Sequence, residues 1–295
     1  MGEAPAFIIY MREQAMTIGP YEVLRVETGR FGLDGGAMFG VVPRTLWERT
    51  NPPDERNRIT MAARALLLRG NGRTILVDTG NGTKYSDKAR LIYKFDNSTY
   101  TLAGSLREHG VAPESVTDVI LTHLHFDHAG GATVMAGGKV EPTFPNARYY
   151  VQRAHWDAAH HATERDKASF LPDDYLPLME HGLLEFVDGE REILPGINVL
   201  LFYGHTTALQ CPLISDGRTT LFYCADLMPM APHVQLPWIM GYDLRPLVTL
   251  EEKRCILRRA MEEQWVLFFE HDPAIAAARV IHNEKGYAAG ERIDL

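Results

Sequence analysis

Within positions 123–128 the sequence gathers His123, His125, Asp127 and His128, directly after the apolar run Val119-Ile120-Leu121 and just before Gly130-Gly131. Imidazole nitrogens and a carboxylate oxygen are the donors that a borderline divalent ion such as zinc prefers. Four of them in one loop exceed what a single tetrahedral ion takes from one segment, so two ions are the economical reading, and two ions call for about three further ligands. Candidates recur in one context. His205 ends the run Val199 to Gly204, Asp226 ends Leu221 to Ala225, His271 ends Val266 to Glu270, and Asp78 closes Thr74-Ile75-Leu76-Val77 before Thr79-Gly80. Short apolar runs rich in β-branched and aromatic residues read as buried strands, and a polar residue at the end of such a run is delivered to the rim of a sheet. With the strand before His123, five strands aim a ligand-type residue at one edge, where open α/β sheets collect their ligands.

This arrangement of motif, later single His, Asp after a strand and last His resembles the metallo-β-lactamase superfamily over nearly the whole chain. The resemblance implies an α/β fold of αββα type, two mixed sheets flanked by helices. It also implies a ligand set: His123, His125 and His205 on one metal, Asp127, His128 and His271 on the other, and Asp226 bridging both. Asp78 would stand behind the ligands and orient an imidazole through its other ring nitrogen. Zinc is the expected ion, with iron, manganese or cobalt as alternatives. Within the superfamily the chain is most similar to the quorum-quenching N-acyl homoserine lactonases, with methyl parathion hydrolase-like phosphotriesterases close by, and the segment Leu33 to Pro43 resembles the same branch. Two positions depart from it. Pro229 stands where the lactonases carry a carbonyl-polarising Tyr, which leaves Tyr242 or His233 as candidates to replace the phenol, and Thr206 to Gln210 replaces a Pro-Gly-His turn after His205.

The chemistry so implied is hydrolysis of lactones or small apolar esters by a hydroxide bridging two metals, since coordination lowers the pKa of water from 15.7 to roughly 7. Asp127 would relay a proton to the leaving group. A phosphotriesterase or another small-molecule metallohydrolase is the alternative. An iron-dependent sulfur dioxygenase or a non-catalytic binding module ranks lower: dioxygenases would use one iron rather than two metals, and binding alone needs no activated water. No Gly-x-Ser-x-Gly elbow is present to suggest a serine hydrolase.

Composition narrows the partners. The chain has 295 residues, 45 % hydrophobic and 23 % charged, with 30 Lys and Arg against 38 Asp and Glu for a formal charge of -8. One large domain over 1–295 is expected. No basic tract supports nucleic-acid binding, and the expected partner is a small-molecule substrate. No segment reaches the roughly 20 apolar residues of a membrane span, and Met1 to Tyr10 lacks a secretory pattern. Cys211, Cys224 and Cys255 read as small buried hydrophobes, and a cytoplasmic setting is expected. Met38, Phe39, Trp238 and Met240, in Gly- or Pro-punctuated segments, line either an apolar substrate pocket or the contact of a homodimer.

Strands are expected at 21–26, 63–68 and 74–77, a helix over 97–108, a strand over 115–121 feeding the metal loop, and a helix from Leu250 to Gln264. Residues 153–181 read as a helical insertion near the site. Its His155, His160 and His161 are taken as surface imidazoles.

Overall fold

In Leu66-Leu67-Leu68, Ile75-Leu76-Val77 and Val119-Ile120-Leu121 every residue is apolar, so strands with period-2 side chains must bury both faces. The computed structural model, which describes residues 16–295, divides these runs accordingly. Leu66, Leu68, Ile75, Val77 and Ile120 face a core shared with Val199, Leu213, Leu221 and Val266 of a second sheet. Leu67, Leu76, Val119 and Leu121 turn the other way, against Leu102 and Leu106 of the helix Leu102–Glu108 and Leu178 of the helix Pro172–Glu180.

Two seven-stranded mixed sheets result among the described residues. In spatial order the first runs Thr17–Ile18, Tyr21–Asp34, Arg58–Gly70, Arg73–Val77, Asp118–Ile120, Arg148–Gln152 and Leu184–Val187. The second runs Arg191–Leu194, Ile197–Phe202, Leu209–Ser215, Thr220–Tyr223, Val266–Phe268, Ala277–Asn283 and Gly286–Ile293. Pairing is parallel along the last four strands of the first sheet and between Thr220–Tyr223 and Val266–Phe268 in the second, and antiparallel elsewhere. The long helix Pro246–Glu262 contributes Ile256, Leu257 and Ala260 to the core of the second sheet. This is an αββα sandwich, the metallo-β-lactamase fold.

Several expected elements differ in extent. The strand read at 21–26 continues to Asp34, because the irregularity at Glu27-Thr28-Gly29 is a bulge in the pairing and not an end. The helix read from Asn97 begins only at Leu102, where the Thr101 side chain accepts a hydrogen bond from the Gly104 N–H. Residues 153–181 hold the helices Arg153–His160 and Pro172–Glu180 with a short 3₁₀ turn between them. Cys211 and Cys224 are buried, whereas Cys255, on the outer side of its helix, is exposed. The reading of Met1 to Tyr10 lies outside the described residues. No helix among those described is long and apolar enough to cross a membrane.

Candidate metal centre

The ligand-type residues converge, but from the ends of two sheets and not from one edge. Asp78 follows Arg73–Val77 and the His123 loop follows Asp118–Ile120 in the first sheet. His205, Asp226 and His271 follow Ile197–Phe202, Thr220–Tyr223 and Val266–Phe268 in the second. Asp78 and Ala225, immediately before Asp226, hold left-handed backbone angles of φ 56° and 43°, a conformation that side chains adopt at a cost and that clusters at functional sites. A Cβ on Gly130 or Gly131 would collide with the carbonyls of Asn81 or Thr79. The Gly-Gly pair thus lets the turn after Asp78 press against the His-rich loop.

Two groups of four donors form, and Asp226 belongs to both. In the first, His125 Nδ1 lies 3.0 Å from His123 Nε2 and 3.2 Å from His205 Nε2. Asp226 Oδ2 lies 3.1 Å from His205 Nε2 and 3.8 Å from His123 Nε2. In the second, His128 Nε2 is 3.2 Å from His271 Nε2, and Asp226 Oδ1 is 3.5 and 3.4 Å from those two nitrogens. Asp127 completes it at 3.9 Å from His128 and 3.5 Å from His271. A tetrahedral ion with bonds of about 2.0–2.1 Å has ligand-to-ligand edges of about 3.3 Å. Both groups therefore have the spacing of a divalent-ion cradle, with one oxygen of Asp226 turned to each. The buried Asp226 Oδ1 also lacks a hydrogen-bond partner among the described residues, as expected of an atom aimed at a cation.

The outward ring nitrogens are braced. His205 Nδ1 meets Asp243 Oδ1 at 2.9 Å, His271 Nδ1 donates to the Ala62 carbonyl at 2.9 Å, and His123 Nδ1 lies 3.0 Å from Thr122 Oγ1. Asp78 accepts from the Thr122 N–H and hydroxyl at 2.7 and 2.8 Å and from His128 Nδ1 at 3.0 Å. Glu270 Oε2 lies 2.8 Å from the same His128 nitrogen, although neither Glu270 oxygen reaches acceptable hydrogen-bond geometry. Such partners fix tautomer and ring orientation. Burial opposes charge throughout the cluster. It pushes the Glu270 carboxyl up to about 8 and His123 and His125 well down. Burial would also lower His205 and His271, but Asp226 with Asp243 outweighs it at His205, about 10, and Glu270 with Asp226 at His271, about 9. Burial would raise Asp226, yet His128 and His205 hold it well below the carboxylate range. The cluster thus presents an ionised carboxylate among imidazoles.

A cavity of about 260 Å³ opens above the donors. Asp127, Asp226, His125, His205 and His271 form its floor, and Met38, Met240 and Tyr242 are in its wall. Phe39 and Trp238 are not: they are in the buried cluster with Trp47 to which Met38 and Met240 of the wall also belong. His233 is also outside the wall, its ring stacked on Phe39 at 4.9 Å and its Nε2 donating to the Met38 carbonyl at 2.8 Å. Tyr93 and Arg165, not singled out by sequence reasoning, do line the cavity.

His155 corrects an expectation. It is fully buried, accepts the Leu124 N–H at 2.8 Å on Nε2 and donates from Nδ1 to the Thr207 carbonyl at 2.7 Å. It thereby ties the backbone between His123 and His125 to the turn after His205. The available signal was helical spacing: His155 and the buried Ala159 are four apart on one face of a short helix, whereas His160 and His161 are exposed. Glu270 and Asp243 were equally missed, because a carboxylate beside a ligand has no motif of its own.

A profile of the metallo-beta-lactamase superfamily matches residues 60–271. The chain belongs to the metallo-β-lactamase superfamily. An N-acyl homoserine lactonase of Bacillus sp. is 31 % identical over 170 residues, covering 57 % of this chain and 60 % of that protein. The matched stretch thus spans about three fifths of that relative's own length. An N-acyl homoserine lactonase of Bacillus thuringiensis is 28 % identical over 221 residues, 70 % of this chain and 79 % of the relative. A solved structure from Staphylococcus aureus, described as a probable metal-dependent hydrolase, superposes with a TM-score of 0.84 at 26 % identity over 95 % of this chain and all of the other. AidC, a dizinc quorum-quenching lactonase, shares the fold with a TM-score of 0.77 at 22 % identity, over 96 % of this chain and 98 % of its own.

Proposed function

We propose that this superfamily member is a binuclear-metal hydrolase of lactones or small apolar esters. The observation that carries the reading is the pair of four-donor cradles sharing Asp226 beneath a cavity whose wall includes Leu33, Met38, Met61 and Met240. The names of its lactonase relatives support the substrate class. Two divalent cations held by His123, His125, His205 and by Asp127, His128, His271, with Asp226 common to both, would supply Lewis acidity and an activated water near neutral pH. Zinc suits this donor set.

The chain's own residues do the rest. Asp78, Asp243 and the Ala62 carbonyl keep the ligand imidazoles oriented. The apolar wall holds the substrate's hydrocarbon part and excludes water from it. Asp127, on the floor of the cavity, is the carboxylate that passes a proton to the leaving alkoxide. Of the two groups considered for polarising the carbonyl, Tyr242 lines the cavity and His233 does not, so the phenol of Tyr242 takes that part.

The test is a panel on one metal-replete preparation: homoserine lactones, γ- and δ-lactones, aryl esters, phosphotriesters and a β-lactam. Lactones and aryl esters should lead, ordered by size and hydrophobicity, because an added methylene in an apolar pocket discriminates by only about 1–3 kcal/mol. Phosphotriesters exceeding every lactone in kcat/KM by about a hundredfold would replace this reading with a phosphotriesterase.

A further inference from the structure

Arg165 is the one Lys or Arg among the residues lining the cavity. It stands in the stretch between the helices Arg153–His160 and Pro172–Glu180, beside the segment 240–244 of the cavity wall. Its Nη2 donates to the carbonyls of Gly241 at 2.6 Å and Asp243 at 3.1 Å. Nε and Nη1 have no hydrogen-bond partner among the described residues, and no carboxylate there pairs with the guanidinium. The neighbouring Asp166 is engaged instead with the Thr163 N–H and hydroxyl, at 2.7 and 2.6 Å. Arg165 is thus anchored by one corner, with its remaining N–H groups available at the cavity wall.

We infer that Arg165 is a specificity-determining residue that receives a neutral carbonyl oxygen of the substrate, of the amide type, at the rim away from the metal centre. Three observations favour this ligand over an anion. The guanidinium is already held by two neutral backbone carbonyls, so its setting suits that acceptor. Asp166 stands beside it in the wall and opposes an added negative group there. The remainder of the wall supplies apolar surface and hydroxyls, and hydroxyls both give and accept, whereas a guanidinium only donates. The inference rests on the lactonase reading and narrows it: the preferred lactone carries an acylamino group whose carbonyl reaches Arg165 while its ring lies over the metals.

Two lactones matched in length and ring position separate this role from a merely structural one. N-hexanoyl homoserine lactone has the amide; α-heptyl-γ-butyrolactone replaces it with methylenes. Arg165→Met should lower kcat/KM for the first about 30-fold, chiefly through KM, as expected for loss of a charge-assisted hydrogen bond, and for the second less than about 3-fold. Arg165→Lys, which keeps the charge but not the fork, should fall between. Metal content and melting temperature of each variant are measured alongside. Equal losses on both lactones would make Arg165 a tie between two wall segments, and no loss on either would remove it from recognition; each outcome overturns the inference while leaving the lactonase reading intact. Wild-type protein that opens neither lactone overturns the lactonase reading and this one with it.

Discussion

Two loops border the cavity, and side chains grip the main chain of both, acceptors meeting N–H groups in one and cations meeting carbonyls in the other. The loop 121–131 carries four candidate ligands and is fixed by close contacts at strand ends: the Thr122 N–H on Asp78, the Leu124 N–H on His155, and the His128 carbonyl receiving both donors of Thr79. The loop 231–244 carries Met240, Tyr242 and Leu244 of the cavity wall, and two cations hold it by its carbonyls. The fully buried Lys253 donates its three N–H groups to the carbonyls of Gln235 at 2.8 Å, Leu236 at 3.2 Å and Trp238 at 2.8 Å. Arg165 holds Gly241 and Asp243 from the other side. The first loop is thus met mainly at its main-chain N–H groups, by the acceptors Asp78 and His155. The second loop offers main-chain oxygens to these two cations, and is further tied by the Ala231 N–H on Asp272 and the Gly241 N–H on the Ala37 carbonyl. Asp243 connects the two loops through His205, which takes its carboxylate on Nδ1 and lies 3.2 Å from His125 of the first loop on Nε2.

The sharpest way to break this contrast is Asp226→Ala. It removes the donor shared by both cradles, and activity should fall by at least about 100-fold with the fold retained, because even supporting residues behind a ligand cost 10–100-fold. A variant keeping its metal content and more than about a tenth of wild-type turnover would show that Asp226 does not bridge. Next in size are Asp78→Asn and Asp243→Asn, each expected to weaken metal affinity about 10–100-fold in a chelator competition. If Asp243→Asn leaves affinity unchanged, the two loops are independent after all.

Lys253→Met probes the wall alone. Burial pushes the Lys253 ammonium down to about 7 against the pull of Asp243, yet losing it orphans three carbonyls. A loss of about 2 kcal/mol in denaturant unfolding and a several-fold rise in KM should accompany unchanged metal content. Lost metal with unaltered KM would reverse the assignment of loop to role.

The smallest expected effect concerns His155. Burial lowers its pKa to about 4, against about 6.5 in the unfolded chain. The unfolded state therefore takes a proton that the folded state refuses, and the stability present above pH 6.5 is lost as pH falls towards 4. Between pH 7.5 and 5.5, chelator-treated wild type should lose about 1 kcal/mol more than His155→Gln. Identical pH profiles would mean that His155 is not held neutral.

The same contrast explains what could be read from the sequence. His123, His125, Asp127, His128, His205, Asp226, His271 and Asp78 stand out because donor type and position at a strand end are both local properties. The αββα layering was implied by the family resemblance, and runs such as Leu66-Leu67-Leu68, which bury both faces, are how the chain builds it. Lys253 and Arg165 look like ordinary helix and loop cations, and only tertiary structure shows which carbonyls they reach. Trp238 and Phe39 were drawn towards the cavity by their apolar, Gly-punctuated setting, but Phe39 stacks on Trp47 and Trp238 packs edge-on against Phe39. Pro229 gives no hydroxyl where the lactonase branch offers one, and its carbonyl instead accepts the His271 N–H at 3.0 Å.

The central claim is that two ions sharing Asp226 act together on a lactone. Metal-free protein titrated with zinc, with N-hexanoyl homoserine lactone turnover and bound metal followed in parallel, tests it most directly. Turnover should be negligible without metal and should rise to saturation at about two bound ions per chain. Full turnover at one bound ion, or turnover indifferent to a chelator, would contradict it.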